Sequence, residues 1–256
     1  MTGDAPSPIE HPSMPPAGAA TPDQHQEAVM RGMFSRIATR YDTINRIISL
    51  GQDQRLRREA LRRAQLPAAG RLLDVASGTG DVALQARRKY PGLHVVGVDL
   101  TWAMLRGAQI KSAAVRPPLA WTVGDGLALP FPDAAFDAVI SAFMMRNVPD
   151  VRCAFAEQAR VVRPGGRVIC LEMSWPRRFP MSALFNLYFN GWVPFIGRLI
   201  SGDAGAYAYL PRSVKRFLRP EGVVQQMEAA GLRCITWDTH MFGTAVIVVG
   251  ERPAPQ

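Results

Sequence analysis

The chain has 256 residues, 48% hydrophobic and 20% charged, which is long enough for one well-buried globular domain with appendages and too short for two full ones. Residues 1–30 contain four acidic residues and no Lys or Arg, so all the basic residues behind the net charge of +9 lie in the rest of the chain. This excess of positive charge suits an anionic partner such as a membrane surface, a nucleic acid or an acidic substrate. The three cysteines and four histidines have neither CxxC nor metal-ligand spacing, which disfavours a disulfide scaffold or a metal site.

The N-terminal region divides into two parts. Residues 1–26 are rich in Pro, Ala and small polar residues and lack the basic-then-apolar order of a signal peptide, so we predict a disordered tail. Residues 27–66 carry apolar residues at helical spacing and are predicted to form a helical lead-in, through Val29, Met33, Ile37, Ile44, Ile47 and Ile48. Residues 27–256 are expected to form a single domain.

From Arg71 onward, short apolar runs bounded by turn residues alternate with helical stretches. The predicted strands are 71–76, 94–99, 119–123, 136–141 and 167–172, and the predicted helices are 82–89, 102–111 and 152–162. This alternation is typical of a doubly wound α/β domain, with a mostly parallel sheet between two layers of helices.

A different pattern occupies residues 179–197, which contain no charged side chain and are rich in aromatics. The length suggests a membrane span, but Pro180, Pro194, Asn186 and Asn190 argue against one, because unpaired polar groups are costly in hydrocarbon. We therefore predict an apolar helical insertion that covers a site or touches a bilayer surface.

The strongest motif is a glycine loop between a strand and a helix. Asp74 ends the strand, and Gly78, Thr79 and Gly80 form the turn, with spacing D-x-x-x-G-x-G instead of the G-x-G-x-x-G typical of dinucleotide enzymes. A pyrophosphate favours a helix end without a neighbouring carboxylate, whereas a sulfonium cofactor with an amino-acid ammonium group accepts Asp74 and Asp81 beside it. The loop therefore favours S-adenosylmethionine over a nicotinamide cofactor.

Three further signals follow in order along the chain. Asp99 ends the second strand, where a carboxylate can accept two ribose hydroxyls. Asp125 and Gly126 follow the third strand, where they are placed to meet an adenine edge. Arg163-Pro164-Gly165-Gly166 marks a helix end that turns into a strand. Each signal alone has an ordinary structural interpretation, but the order and spacing together predict a cofactor site.

These motifs resemble those of the class I methyltransferases, and two longer stretches resemble the menaquinone/ubiquinone C-methyltransferase family. The first is similar to a signature that begins Tyr-Asp-x-Met-Asn and ends Ser-x-Gly, and reads Tyr41-Asp42-Thr43-Ile44-Asn45 to Ser49-Leu50-Gly51. The second runs from Arg160 to a closing Glu172-Met173-Ser174. The resemblance implies S-adenosylmethionine as the cofactor and no metal. It also implies a Rossmann-like sheet of seven strands preceded by N-terminal helices. A helical insertion over residues 175–215 is expected to act as a lid over the acceptor.

The sequence departs from the family pattern at several positions. The later His and Trp of the first signature fall on Asp53 and Leu56, and its Met is Ile44. Other departures are Ala142, Met144 and Val248. None lies in the glycine loop or at Asp99, so the departures bear on the acceptor more than on the cofactor.

The resemblance implies C-methylation of the quinol ring of a polyprenylated precursor in respiratory quinone biosynthesis. A reduced ring with a stabilised phenolate is the better nucleophile, so we expect Arg146 to act there, with Asn147 beside it, because both follow a strand at the carboxyl edge of the sheet. Tyr41, Asp42 and Asn45 are candidates to close the site, and Tyr209 is a candidate to reach the acceptor.

The expected surroundings follow from the same resemblance. The expected location is the cytoplasm, with peripheral contact to the anionic inner face of the membrane through the basic helix 54–63, which contains Arg55, Arg57, Arg58, Arg62 and Arg63. Nucleic acid is disfavoured because no module combines aromatic and basic residues. The alternative function is O- or C-methylation of another amphipathic aromatic molecule.

Overall fold

The computed structural model describes residues 22–176, 178–196 and 204–254. Three helices precede the first strand: α1 (Pro22–Ile37), α2 (Tyr41–Ser49) and α3 (Gln52–Arg63). The lead-in is therefore helical, and α1 begins at Pro22 instead of at the predicted start at residue 27. The rest of the predicted disordered tail, residues 1–21, lies outside the described residues.

The remaining elements alternate as the sequence indicates. They are β1 (Arg71–Val75), α4 (Asp81–Lys89), β2 (His94–Asp99), α5 (Trp102–Ser112), β3 (Ala120–Val123), β4 (Phe136–Ala142), a 3₁₀ turn (Met145–Asn147), α6 (Val151–Val161), β5 (Val162–Met173), α7 (Met181–Leu187), a π-helical turn (Tyr188–Trp192), α8 (Ala204–Arg216), α9 (Pro220–Ala229), β6 (Arg233–His240), a second 3₁₀ turn (Met241–Gly243) and β7 (Ala245–Glu251).

The seven strands form one sheet in the order β3-β2-β1-β4-β5-β7-β6. Strands β1 to β5 pair in parallel, and β7 runs antiparallel to both β5 and β6. The doubly wound, mostly parallel sheet is thus confirmed. The strand order reverses between β1 and β4, and ligands of such folds bind at the carboxyl ends of the strands at this reversal.

Alternating residues of the strands build a core on each face of the sheet. In β1, Leu73 packs with α6 and α9, through residues such as Phe155 and Met227. Its neighbour Leu72 packs with α3 and α4 on the opposite face, through residues such as Leu61 and Ala83. Side chains alternate with a period of two along a strand, so one continuous apolar strand supports both helical layers.

A third apolar cluster lies apart from these two layers. It joins α1 and α2 to the helical segment 181–196 and to α8, and it includes Ile44, Phe185, Phe189, Val193 and Val214. The predicted insertion is helical over 181–196 and 204–216. Residues 177 and 197–203 lie outside the described residues, as do the side chains of residues 22–27 and 204–208. None of the described helices is both long and apolar enough to span a bilayer.

One predicted boundary differs from the structure. Strand β5 begins at Val162, so the Pro-Gly-Gly turn of the sequence lies inside a strand, next to a register shift opposite Phe136 and Ala138. A Cβ on Gly166 would lie 2.6 Å from the carbonyl oxygen of Asp137. The glycine therefore lets β4 and β5 approach closely where the strand bends.

Candidate functional site

The glycine loop connects β1 to α4 at the carboxyl edge of the sheet. A Cβ on Gly80 would lie 2.4 Å from the ring of Trp121, so this glycine lets the loop pack onto β3. A Cβ on Gly78 would instead meet only the Tyr41 ring, 4.0 Å away. Gly78 thus leaves room for a ligand between the loop and α2.

Asp74 lies at the end of β1 and is almost completely buried. Burial raises the pKa of its carboxyl group to about 8, and the backbone N–H of Ala83, 3.2 Å away, opposes this only in part. The hydroxyl of Ser77 nearby is buried and has no hydrogen-bond partner among the described residues. A buried acid without a full counter-charge and an unsatisfied hydroxyl fit an ammonium-bearing ligand.

Asp99 ties the glycine loop to β2. Its two carboxylate oxygens accept hydrogen bonds from the backbone N–H groups of Gly78 and Thr101, each at 2.8 Å. Burial raises the pKa of Asp99 despite these two bonds. Because a carboxylate has about four acceptor positions, the structural bonds leave acceptor capacity for ribose hydroxyls.

Asp125 and Gly126 form a tight turn after β3. The Asp125 carboxylate accepts a hydrogen bond of 2.9 Å from the backbone N–H of Leu127. A Cβ on Gly126 would lie 2.2 Å from the methyl carbon of Met144 and 3.4 Å from Val75. The turn therefore packs against the end of β1, on the same edge as the glycine loop.

Helices α2 and α5 close over this loop through a charged clasp formed by Asp42, Thr79, Asp81 and Lys111. The Lys111 ammonium donates to the carboxylates of Asp42 and Asp81, both at 2.6 Å, and the Thr79 hydroxyl donates to Asp42. Burial pushes the pKa of Asp81 upward, but Lys111 outweighs it and the pKa falls below its ordinary value. The clasp fixes the lead-in helices above the predicted cofactor site.

Arg146 follows β4 in the 3₁₀ turn and is held by Glu172 on β5. Its guanidinium donates to the fully buried Glu172 carboxylate and, at 2.8 Å, to the carbonyl oxygen of Phe143. Its Nε–H is buried and has no hydrogen-bond partner among the described residues. Glu172 therefore neutralises the charge of Arg146, while the Nε–H of Arg146 remains without a partner among the described residues.

A second buried pair lies close by. Arg57 on α3 contacts Asp53 at 2.5 Å. Both arginines lie over the Phe143 ring, with the guanidinium carbon of Arg57 5.1 Å and that of Arg146 5.9 Å from the ring centroid. Phe143 has a φ of +62°, a strained value for a bulky residue, and its carbonyl also accepts from Asn147 at 3.2 Å.

Tyr41 joins the two halves of the site. Burial raises the pKa of its phenol, while the charges of Arg57 and Arg146 and a hydrogen bond with Asn45 act in the opposite direction. The same ring faces Gly78 of the glycine loop. Tyr41 therefore faces the predicted cofactor loop, and its phenol is also acted on by the charges of the two arginines.

The structure brings the predicted residues together at one edge of the sheet. The cofactor candidates Asp74, Gly78, Thr79, Gly80, Asp99, Asp125 and Gly126 all lie at the ends of β1, β2 and β3. The catalytic candidates Arg146 and Asn147 follow β4, and the Tyr209 hydroxyl donates to Asn147 at 3.3 Å.

Sequence reasoning did not assign Glu172, Asp53, Phe143 or Lys111 to the site. The acid in the closing Glu-x-Ser was a signal for Glu172, while the others depend on helix orientation. For Arg57 the expected lipid contact is wrong, since its side chain is buried against Asp53. Arg62 and Arg63 pair with Glu59, and Arg63 also pairs with Asp238.

A family model described as the ubiE/COQ5 methyltransferase family matches residues 22–252. The chain belongs to this family. It is 46% identical over 221 residues to a demethylmenaquinone methyltransferase of Thermus thermophilus, covering 86% of this chain and 100% of that protein. It is 41% identical over 226 residues to a ubiquinone/menaquinone biosynthesis C-methyltransferase of Geobacter sulfurreducens, covering 87% and 88%.

Solved structures share the fold of this ubiE/COQ5 methyltransferase at low sequence identity. The [4+2]-cyclase SpnF superposes with a TM-score of 0.66 and 16% identity, over 90% of this chain and 97% of that one. A phosphoethanolamine N-methyltransferase of Haemonchus contortus, in complex with S-adenosyl-L-methionine, gives 0.59 and 16%, over 77% and 52%. This ubiE/COQ5 family member is an S-adenosylmethionine-dependent methyltransferase.

The raised pKa of Asp74 predicts a pH-dependent stability of the ligand-free protein. The carboxyl group is protonated in the folded state up to about pH 8 and ionises near pH 4 when unfolded. Stability should therefore fall as the pH rises from 4 to 8, by at most about 1.4 kcal/mol per pH unit from this group. In Asp74→Asn the fall of stability with pH should be less steep. The part that remains should come from Asp99, whose pKa is also raised.

The measurement is thermal unfolding between pH 5.5 and 8.5 without ligand. Asp133→Asn, which alters an exposed carboxylate, is the matched control and should keep the wild-type slope. An unchanged slope in Asp74→Asn would show that Asp74 is ionised in the folded protein.

Proposed function

We propose that this methyltransferase alkylates a ring carbon of a polyprenylated quinol, either demethylmenaquinol or the corresponding ubiquinol precursor. The observation that carries the proposal is the polar cluster at the end of β4, where Glu172 holds Arg146 and Tyr209 holds Asn147, on the same edge of the sheet as the glycine loop that Tyr41 faces. The relatives from Thermus thermophilus and Geobacter sulfurreducens, a demethylmenaquinone methyltransferase and a ubiquinone/menaquinone biosynthesis C-methyltransferase, support the same acceptor class.

Cofactor binding is assigned to the first half of the site. Asp74 and Ser77 would hold the amino-acid end, because they offer an uncompensated carboxyl group and a free hydroxyl. Asp99 would accept the ribose hydroxyls, and Asp125 with Gly126 would meet the adenine. When bound, S-adenosylmethionine supplies an electrophilic methyl group, and the protein contributes mainly positioning.

The acceptor half of the site suits a phenolic oxygen. Arg146 has a buried Nε–H without a partner among the described residues, and on acceptor binding it would turn this donor toward that oxygen and stabilise the phenolate that makes the ring carbon nucleophilic. Glu172 balances the charge of Arg146 and fixes its direction, so the site offers an oriented donor more than a net positive charge. Asn147, held by Phe143 and Tyr209, lies next to it as a second polar contact.

A different amphipathic aromatic acceptor, methylated at carbon or oxygen, is the alternative. The departure from the family pattern at Asp53 favours it, because Asp53 pairs with Arg57, whose guanidinium lies over the Phe143 ring in the acceptor half. The departure at Met144 lies at the border with the cofactor half, since Met144 packs against Gly126.

The deciding experiment is methyl transfer from labelled S-adenosylmethionine to chemically reduced demethylmenaquinol and to the ubiquinol precursor, each with a short tail. We expect label on the ring carbon of at least one of them. Cofactor binding without transfer to either quinol would reject the proposed acceptor and favour the alternative.

Removing the Arg146 donor should slow the reaction without releasing the cofactor. For Arg146→Ala we expect kcat to fall by about 10²-fold or more, as for loss of one oxyanion donor elsewhere. Affinity for S-adenosylhomocysteine should change less than two-fold, measured by calorimetry, because Arg146 lies outside the cofactor half.

Arg160→Ala is the matched control, since Arg160 also pairs with acids, Glu157 and Asp133, but away from the site. It should leave kcat near the wild-type value. Loss of both turnover and cofactor affinity in Arg146→Ala would mean that the Arg146–Glu172 pair serves the fold alone.

We also propose that this is a cytoplasmic enzyme in peripheral contact with the anionic inner face of the membrane. The helical segment 181–196 presents an outward apolar stripe with side chains between 47% and 72% exposed: Leu184, Leu187, Trp192 and Phe195. Its inner face is buried, and the Tyr188 hydroxyl bonds the carbonyl of Ile48 at 2.5 Å, which fixes the orientation. An uncharged helix with an exposed apolar stripe is typical of interfacial helices.

Vesicle co-sedimentation checks this contact. The double variant Leu187→Glu, Trp192→Glu should bind vesicles containing anionic lipid at least about ten-fold more weakly than the wild type, since charge is costly in the interface. Ile110→Glu on α5, a residue 71% exposed elsewhere, is the control and should bind normally. Equal binding by all three proteins would contradict the proposed contact.

A further inference from the structure

A cavity of about 890 Å³ lies beside the acceptor half of the site. Residues from three separate parts of the chain line it: 174–176 and 178–181 after β5, residues between 214 and 221 around the end of α8 and the start of α9, and residues between 237 and 243 at the turn between β6 and β7. Its volume is within the range of cavities that bind small molecules. Nothing in the assigned cofactor or acceptor chemistry uses it.

Two elements lead from the acceptor half into this cavity. Strand β5 carries Glu172, which holds Arg146, and Ser174 two residues later lines the cavity. Helix α8 carries Tyr209, which bonds Asn147, and Val214 lines the cavity. Five helical residues span only about 7.5 Å, so the cavity begins close to the polar groups assigned to the quinol ring.

The lining favours a hydrocarbon occupant. Trp175, Leu218 and Trp237 form apolar walls, and Phe179 and Phe242 stand at the rim with 84% and 85% of their side chains exposed. Large apolar side chains left this exposed and grouped on one groove are typical of binding sites.

The charges at the rim are consistent with this. Among the described residues, Arg178, Lys215 and Arg219 line the cavity together with one acid, Glu221. A chain that leaves the cavity past these cations would emerge on a surface suited to anionic headgroups.

We propose that this cavity is the binding groove for the polyisoprenoid tail of the acceptor. The tail would run from the ring, past Ser174 and Val214, between the indole of Trp237 and the side chain of Leu218, and leave at Phe179 and Phe242. The inference rests on the proposed function for the identity of the ring, but the groove itself is defined by its apolar lining and its position.

Two substitutions obstruct the groove by different means. Thr239→Trp fills volume from an exposed position on β6, and Leu218→Glu places a charge on the wall. Both positions lie outside the cofactor and acceptor halves. Ile110→Glu introduces the same charge at an exposed apolar position elsewhere and is the matched control.

The first test compares kcat/KM for two quinols in the same detergent, one with a single isoprene unit and one with four. For both groove variants we expect a loss of about ten-fold or more on the long tail and less than a two-fold change on the short tail, because pocket contacts of a few methylenes are worth that much. Equal losses on both substrates, or no loss, would overturn the proposal.

A second test needs no turnover. Geranylgeraniol should change the tryptophan fluorescence saturably in the wild type and in Ile110→Glu, through Trp175 and Trp237, and should not do so in Leu218→Glu. If neither quinol is methylated by the wild type, the proposed function fails and this binding test alone decides on the groove. A response that is absent, or equal in Leu218→Glu, overturns the groove.

Other occupants give distinct results. If the variants lose vesicle binding but keep the wild-type ratio between long and short tails, the groove faces a bilayer and the proposal is wrong. If they change the molecular mass seen by light scattering and keep that ratio, a second copy of the chain covers the groove and the proposal is equally wrong.

Discussion

The ion pair between Arg146 and Glu172 organises the acceptor half of the site. Glu172 is fully buried on β5, and Arg146 follows β4, so the pair joins two neighbouring strands where they end. Breaking such a pair by removing one partner costs about 3–5 kcal/mol, because the other charge remains buried. The strained Phe143 carbonyl accepts from both Arg146 and Asn147, and this supports a conformation that the backbone alone disfavours.

The lead-in helices depend on a comparable set of charges. Lys111 links Asp42 on α2 to Asp81 at the start of α4, and Gln54 on α3 also donates to Asp81 at 2.8 Å. These contacts seat α2 so that Tyr41 faces Gly78. The cofactor loop and the acceptor half are therefore not independent, since the phenol of Tyr41, whose ring faces Gly78, is acted on by the charges of Arg57 and Arg146.

Much of the fold could be predicted because its signals are local. The end of β1 at Asp74, the glycine turn and the end of β2 at Asp99 are each written in a few consecutive residues. The parallel order of the strands then places them at one edge. The family resemblance added the number of strands, which periodicity did not provide.

The remainder depends on contacts between residues far apart in sequence. Asp42 and Lys111 are separated by 69 residues, and no local pattern announces that they meet. Arg57 belongs to a helix whose arginines look alike in sequence, and only its rotation toward the core separates it from the exposed Arg55 and Arg58. The cavity is lined by three separate parts of the chain, and only the first overlaps the apolar stretch 179–197 that the sequence predicts as an insertion.

The π-helical turn at Tyr188–Trp192 has a consequence for how this segment can vary. The turn accommodates one residue more than an α-helical turn would, so the extra residue is absorbed between two regular helical parts. Deleting one residue within the turn would restore regular α geometry and leave the flanking helical residues facing as they do now. A deletion in the regular turns on either side would instead rotate all that follows by about 100° and turn the exposed apolar side chains away from their present side. The segment should therefore tolerate a change of length at this turn more readily than anywhere else along it.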